Sequence, residues 1–146
     1  MREFKHQLTM NTSPEKIWEF WMDVRNDTQW REGIVRAEWT SPPPYGVGST
    51  GAHYHEKGGT FEWQSTAYVD GHYFEFVHVK GGLEGSRARF QVDPEGEGSL
   101  VTVTIALTGP LVTRIILIFM RAMMEKGLVT DLEKLKAIME NKENAV

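Results

Sequence analysis

The chain has 146 residues, of which 40% are hydrophobic, 11% aromatic and 25% charged; this is the composition of one globular domain with a sizeable core and is far from the profile of disorder. A formal net charge of −4 leaves no basic footprint for nucleic acid. The absence of cysteine excludes disulfides, thiolate nucleophiles and cysteine-ligated zinc or iron–sulfur clusters, so a metal would have to be held by histidine, carboxylate or carbonyl groups.

The first segment, REFKHQLTM, alternates: Phe4, His6, Leu8 and Met10 share one face and Glu3, Lys5, Gln7 and Thr9 the other, the period of a half-buried strand. It lacks the basic-then-apolar profile of a secretory signal, and a cytoplasmic location is expected. The period then becomes helical. Ser13 stands at a natural N-cap, Pro14 at the first helical position where its missing N–H costs nothing, and Ile17, Phe20, Trp21 and Val24 form an apolar face. A short second helix or turn through NDTQWREG ends at Gly33.

From Ile34 to Thr108 the turn-forming stretches SPPPYGVG, KGGT, VDGH, KGGL and DPEGEGS divide the chain into a six-strand antiparallel meander. After Gly109-Pro110, apolar residues recur every three or four positions, Leu111, Ile115, Phe119 and Met123, then Leu128, Leu132, Leu135 and Met139, which specifies a long amphipathic helix with Gly127 as a point of kinking. Its apolar run IILIFM lies between Arg114 and Arg121, is far shorter than the roughly 20 residues a membrane span needs, and is expected to be buried in the protein's own core. The order is β-α-α-β6-α, an α+β single domain over residues 1–146, with 141–146 expected to fray.

The pair His53 and His55 in GAHYHEKGGTFEWQ raises the question of a metal site. A two-residue Gly58-Gly59 turn pairs His55 with Glu62, Tyr54 with Trp63 and His53 with Gln64. Ala52, Tyr54, Phe61, Trp63 and Ser65 then share the buried face, and His53, His55, Lys57, Glu62 and Gln64 the outer one, so no metal site is expected. A one-residue bulge in that turn reverses the assignment. Asp70-Gly71 as a type I′ turn sets Val69 against His72, Ala67 against Phe74, Ser65 against Phe76 and Trp63 against His78, which turns Phe74, Phe76 and His78 inward. Strand GSRARFQVD places Ala88, Phe90 and Val92 inside and Arg87 and Arg89 outside, which calls for a loop longer than Gly81-Gly82. In the last strand Val101, Val103, Ile105 and Leu107 face in.

The order β-α-α-β6-α, the segment TSPEKIWEFWMDVRNDTQW, the YGVGST entering the third strand and the terminal DLEKLKAIME together resemble the START/pollen-allergen-like (SRPBCC) superfamily, and within it the polyketide cyclase/dehydratase and lipid-transport-like branch. The resemblance runs from about Phe4 to Glu140. It implies a helix-grip fold, a curved seven-stranded antiparallel sheet around a long C-terminal helix with an apolar cavity between them. It also implies ligands such as lipids, sterols, polyketides or plant hormones, and no family-wide catalytic motif.

The leading expectation is a protein that binds a small hydrophobic molecule without a cofactor, a metal or a nucleic-acid partner, as a monomer or homodimer. The expected wall runs along the strands through Val35, Ala37, Trp39, Tyr54, Trp63, Phe74, Phe76, Phe90 and Val103, and Ile115, Phe119 and Met123 close it from the last helix. Tyr54, Glu56, Ser65 and His78 are the polar groups that could orient a ligand. The second expectation is a cyclase or dehydratase in which His78 or Glu56 removes a C–H proton and Tyr54 donates to the enolate oxygen. The third is an interaction module that uses Tyr68, Tyr73, Val77 and Val79 on the outer strand face.

Overall fold

The computed structural model describes residues 2–109 and 111–144. Strand β1 (Arg2–Met10) leads into α1 (Pro14–Met22), a 3-10 turn (Val24–Asn26) and the single-turn α2 (Asp27–Trp30). Strands β2 (Ile34–Trp39), β3 (Thr50–His55), β4 (Thr60–Val69), β5 (Tyr73–Lys80), β6 (Arg87–Glu95) and β7 (Gly98–Leu107) follow as consecutive hairpins, and α3 (Leu111–Asn144) ends the chain. All seven strands form one curled antiparallel sheet in the order β1-β7-β6-β5-β4-β3-β2, the helix-grip α+β architecture expected from the sequence. Pro14 opens α1 as its residue type requires, while Ser13 holds the N-cap position without a side-chain capping bond.

The helices fill the concave side. α1 buries Ile17, Trp18, Phe20 and Trp21. Trp21 stands edge-on to Phe74 at 6.3 Å and to Phe90 at 5.8 Å, and Trp30 edge-on to Phe90 at 6.0 Å, arrangements that suit the ring quadrupoles. From α3, Leu128, Leu132, Leu135 and Met139 complete the core with Met10, Val101 and Val103.

β3 is turned over relative to the sequence expectation. Its connection to β4 is the three-residue loop Glu56-Lys57-Gly58: the Gly58 N–H donates to the His55 carbonyl at 3.0 Å, and the His55 N–H to the Gly59 carbonyl at 3.1 Å. Gly58 and Gly59 take φ of 81° and 101°, which residues with a Cβ rarely adopt. His53 consequently lies opposite Phe61, and Gly51 opposite Trp63. This is a three-residue shift from the expected pairs, and an odd shift moves every side chain of a strand to the other face. His53 is therefore in the core, 4% exposed. Tyr54 is outside, where its hydroxyl donates to Glu38 at 3.0 Å and Arg36 lies over its ring at 5.0 Å.

The β4–β5 hairpin recovers the expected faces at Trp63, Ser65, Phe74 and Phe76 by a different route, whereas Tyr68, expected on the outer face, turns inward opposite Phe74 and stands edge-on to Trp18 at 5.6 Å. Among its turn residues only Gly71 has a positive φ, so the turn is not type I′, and Val69 pairs with Tyr73. A bulge at Thr66 absorbs the extra residue and restores the pairs Ser65–Phe76 and Trp63–His78. Trp63, Ser65, Phe74 and Phe76 are all buried. β6 follows its alternation: Ala88, Phe90 and Val92 are inside, and Arg87 and Arg89 clasp Glu75 on the outer face at 3.1 and 3.0 Å.

Two expectations of burial fail. Val35 is the unpaired residue of a bulge between Ile34 and Arg36 and is 59% exposed, so Ile34 takes the inward position. Among the described side chains at the start of α3 the apolar residues are not buried in the core: Ile115, Ile116, Ile118 and Phe119 are exposed, Phe119 to 83%, and Met123 to 66%. Spacing tells which residues share a helix face; it does not tell whether anything covers that face. α3 packs chiefly on β1 and α2, and the α1 tryptophans occupy the interior that IILIFM was expected to fill. The side chain of Leu111 lies outside the described residues. Among the described residues no helix is long and apolar enough to cross a membrane.

Candidate ligand cavity

The space between Trp63, Phe74 and Phe76, where the sequence expectation centred the ligand, is closed. Trp21, Val24 and Trp30 press into it and leave a void of about 10 Å³ beside Asp27 and His53, at the limit of what one water needs. The space for a ligand lies further along the curl. An open cavity of about 590 Å³ is floored by Phe4, Phe90, Val103 and Ile105 from the sheet and walled by Met120, Met123, Met124, Gly127, Leu128 and Asp131 from α3. Its mouth is formed by Trp30 to Gly33 after α2 and by His55, Glu56 and Lys57 of the β3–β4 loop. The volume is that of ordinary small-molecule sites. A depression of about 480 Å³ on the outer sheet face is lined by Lys5, Gln7, Glu75, Arg87 and Arg89 among others; it lacks an apolar floor of this kind.

The residues expected to form the wall thus divide. Phe90, Val103 and Met123 line the cavity, and Glu56 stands at its mouth. Ala37, Trp63, Ser65, Phe74 and Phe76 belong to the closed core. Trp39 is half-buried elsewhere, its Nε1–H donating to the Met22 carbonyl at 2.8 Å and its ring stacked on Tyr45 at 4.0 Å. Val35, Tyr54, Ile115 and Phe119 do not point into the cavity: Val35 was displaced by a bulge, Tyr54 by the three-residue register shift, and the two α3 residues face outward. Phe4 and Ile105 sit on faces the alternation had marked as inward. Arg31 and Asp131 were missed, because isolated charges give no periodic signal.

The three groups expected to do acid–base work are not brought together. Tyr54 is outside, Glu56 is at the mouth, and no hydrogen bond or ion pair joins either to His78 among the described residues. His78 is half-buried beside Phe61 and Phe76, and its Nδ1 is buried without a partner among the described residues. Burial, reinforced by the positive field of Arg31, pushes its pKa down to about 4, and the carboxylate that opposes this is Glu84 rather than Glu56. Desolvation dominates.

The histidine best held by the fold is His53. Its Nε2 lies 2.8 Å from Asp27 Oδ2. Burial lowers its pKa against the opposing hydrogen bond from Asp27, so the neutral ring donates its Nε2–H to the carboxylate and ties β3 to α2. His55, two residues on, lines the cavity, and partial burial lowers its pKa as well. The Asp131 carboxyl accepts the Glu32 N–H at 3.2 Å, and burial raises its pKa. Glu62, on the outer face, pairs with Lys80 at 3.7 Å. Among the described residues no group of three or more histidine or carboxylate side chains gathers as metal ligands would.

Comparison with known proteins places this geometry in a wider group. A family model described as polyketide cyclase / dehydrase and lipid transport matches residues 1–140. No curated protein matches. Among solved structures, the chain is similar to the protein XoxI from Bacillus cereus, at 16% identity and a TM-score of 0.75 over 98% of this chain and 99% of that one. It is also similar to the Aha1 dimer from Colwellia psychrerythraea, at 19% identity and a TM-score of 0.70 over 96% and 97%. The di-domain ARO/CYC StfQ from the steffimycin biosynthetic pathway matches at 12% identity and a TM-score of 0.78; 98% of this chain covers 52% of that one. At these identities the likeness is one of fold.

Proposed function

The chain belongs to the polyketide cyclase/dehydrase and lipid transport family, and from that premise we propose that it binds a small hydrophobic molecule in the open cavity between the sheet and α3. The observation that carries this reading is the apolar floor of Phe4, Phe90, Val103 and Ile105 facing Met120, Met123 and Met124 across about 590 Å³. Thioethers on unbranched, flexible stems adapt to differently shaped ligands, and three of them form the movable side of the site. The fold shared with StfQ, an ARO/CYC protein of a biosynthetic pathway, is in keeping with an organic ligand.

The neutral dye N-phenyl-1-naphthylamine is expected to bind about one per chain with enhanced fluorescence. Ile105→Trp, which fills the floor, is expected to weaken binding by tenfold or more at unchanged circular dichroism, and Trp39→Ala to leave it unaltered. Folded protein that does not bind the dye, or an affinity indifferent to Ile105→Trp, overturns this site.

A cyclase-type reaction is the second reading, favoured by the His55 imidazole and the Glu56 carboxylate at the mouth of the same cavity. Either could accept a C–H proton from a bound polyketone. Turnover that is lost in Glu56→Gln or His55→Gln while binding persists would establish it.

A further inference from the structure

Arg31 sets a charge against the aromatic lining of the cavity. It follows α2 directly, its backbone N–H donating to the Asp27 carbonyl at 2.9 Å, so the end of the helix fixes where its side chain starts. The guanidinium lies over two aromatic rings that also line the cavity, 5.7 Å from the centre of Trp30 and 5.6 Å from that of Phe90. Its Nη1 is buried and has no hydrogen-bond partner among the described residues. Three carboxylates share the cavity with it. Glu32 and Glu56 are exposed at the mouth, Asp131 is engaged by the Glu32 N–H, and none forms an ion pair with Arg31 among the described residues.

A permanently charged group in such a place is costly to leave unpaired, and ring faces offset only part of that cost. Guanidinium is the side chain whose fork of N–H donors matches a carboxylate in two parallel bonds. Its field adds to burial in lowering the pKa of His53, His55 and His78, and it also reaches the Asp131 carboxyl.

We propose that the cavity selects amphipathic carboxylates, with the apolar body against Phe4, Val103, Ile105 and Met124 and the carboxylate on the guanidinium of Arg31. This rests on the cavity being the ligand site and adds the class of ligand. The body lies against the apolar floor, and the charged end meets a guanidinium whose Nη1 lacks an acceptor among the described residues.

The test is displacement of N-phenyl-1-naphthylamine by three twelve-carbon compounds: dodecanoate, dodecanol and dodecyltrimethylammonium, all below their micelle-forming concentrations and at pH 8, where the acid is ionised. Dodecanoate is expected to compete at a concentration roughly 10-fold to 100-fold below that of dodecanol, the range of a charge-assisted hydrogen-bonded contact, and the ammonium compound to be the weakest. In Arg31→Met the advantage of dodecanoate over dodecanol is expected to vanish, each competitor being judged against the dye affinity measured on that same variant. Arg31→Lys, which keeps the charge but loses the fork, is expected to retain part of the advantage. Dodecanol competing as well as dodecanoate, or an advantage that survives Arg31→Met, overturns the carboxylate proposal and leaves the cavity standing. Failure of the dye and all three competitors to bind the folded protein, with titration calorimetry of dodecanoate also silent, overturns the cavity and this proposal together.

Discussion

Among the described residues His53 is held by one side-chain hydrogen bond, which links α2 to β3 inside the aromatic core. Removing the acceptor leaves a buried imidazole N–H without a partner, a loss of about 1–3 kcal/mol. Asp27→Ala is therefore expected to lower the free energy of urea unfolding by that amount, and Asp27→Asn, which keeps a carbonyl acceptor, by less. A second consequence follows from His78, whose pKa of about 4 in the folded chain lies below the exposed value near 6.5. The unfolded chain binds a proton there at a higher pH than the folded one does, so the neutral ring contributes stability that is complete above about pH 6.5 and is lost as the pH falls towards 4. Discounted for partial exposure, the loss is of order 1–2 kcal/mol. Urea unfolding at pH 7.5 and pH 4.5 is expected to show a smaller pH-dependent loss in His78→Leu than in the parent; an unchanged loss would mean that His78 is solvated in the folded state.

At the scale of the element, the β3–β4 pair shows how a small residue fixes a register. A Cβ built on Gly51 would lie 2.1 Å from the Trp63 ring, which occupies the space of the missing side chain and reaches Trp39 at 5.1 Å. Gly51→Ala is expected to destabilise the fold by about 1–3 kcal/mol through overpacking of that ring, measured as a lowered denaturation midpoint with altered near-ultraviolet tryptophan dichroism. α3 divides in the opposite sense. Leu132 is fully buried and Phe119 is exposed, although both belong to the same spacing pattern. Leu132→Ala is expected to cost about 2–5 kcal/mol, whereas Phe119→Ser should leave the midpoint within about 0.5 kcal/mol of the parent. A large loss from Phe119→Ser would mean that the first half of α3 is packed against something in solution.

For the whole molecule, what could be read in the sequence was local pattern and what could not was the relation between patterns. The alternations in β1, β5, β6 and β7 and the Gly-marked turns are enough to give seven antiparallel strands between helices, because each is a property of a few consecutive residues. The position of the cavity is not local. It depends on one additional residue in the turn at Gly58, which reversed β3, exchanged Tyr54 for His53 and carried His55 to the cavity mouth. It depends equally on the bulk of Trp18, Trp21 and Trp30, which filled the middle of the curl and left space only towards Val103 and Met124. Arg31 had no periodic signature at all, and only its surroundings give it meaning.

The methionines are built-in reporters of where the ligand sits. Met120, Met123 and Met124 line the open cavity, while Met10 and Met139 are buried in the closed core. Methyl-labelled methionine spectra recorded while N-phenyl-1-naphthylamine is added are expected to show large ring-current shifts at Met120, Met123 and Met124 and little change at Met10 and Met139. Shifts concentrated at Met10 and Met139, with the three α3 methyls unmoved, would contradict the claim and place the ligand in the aromatic interior.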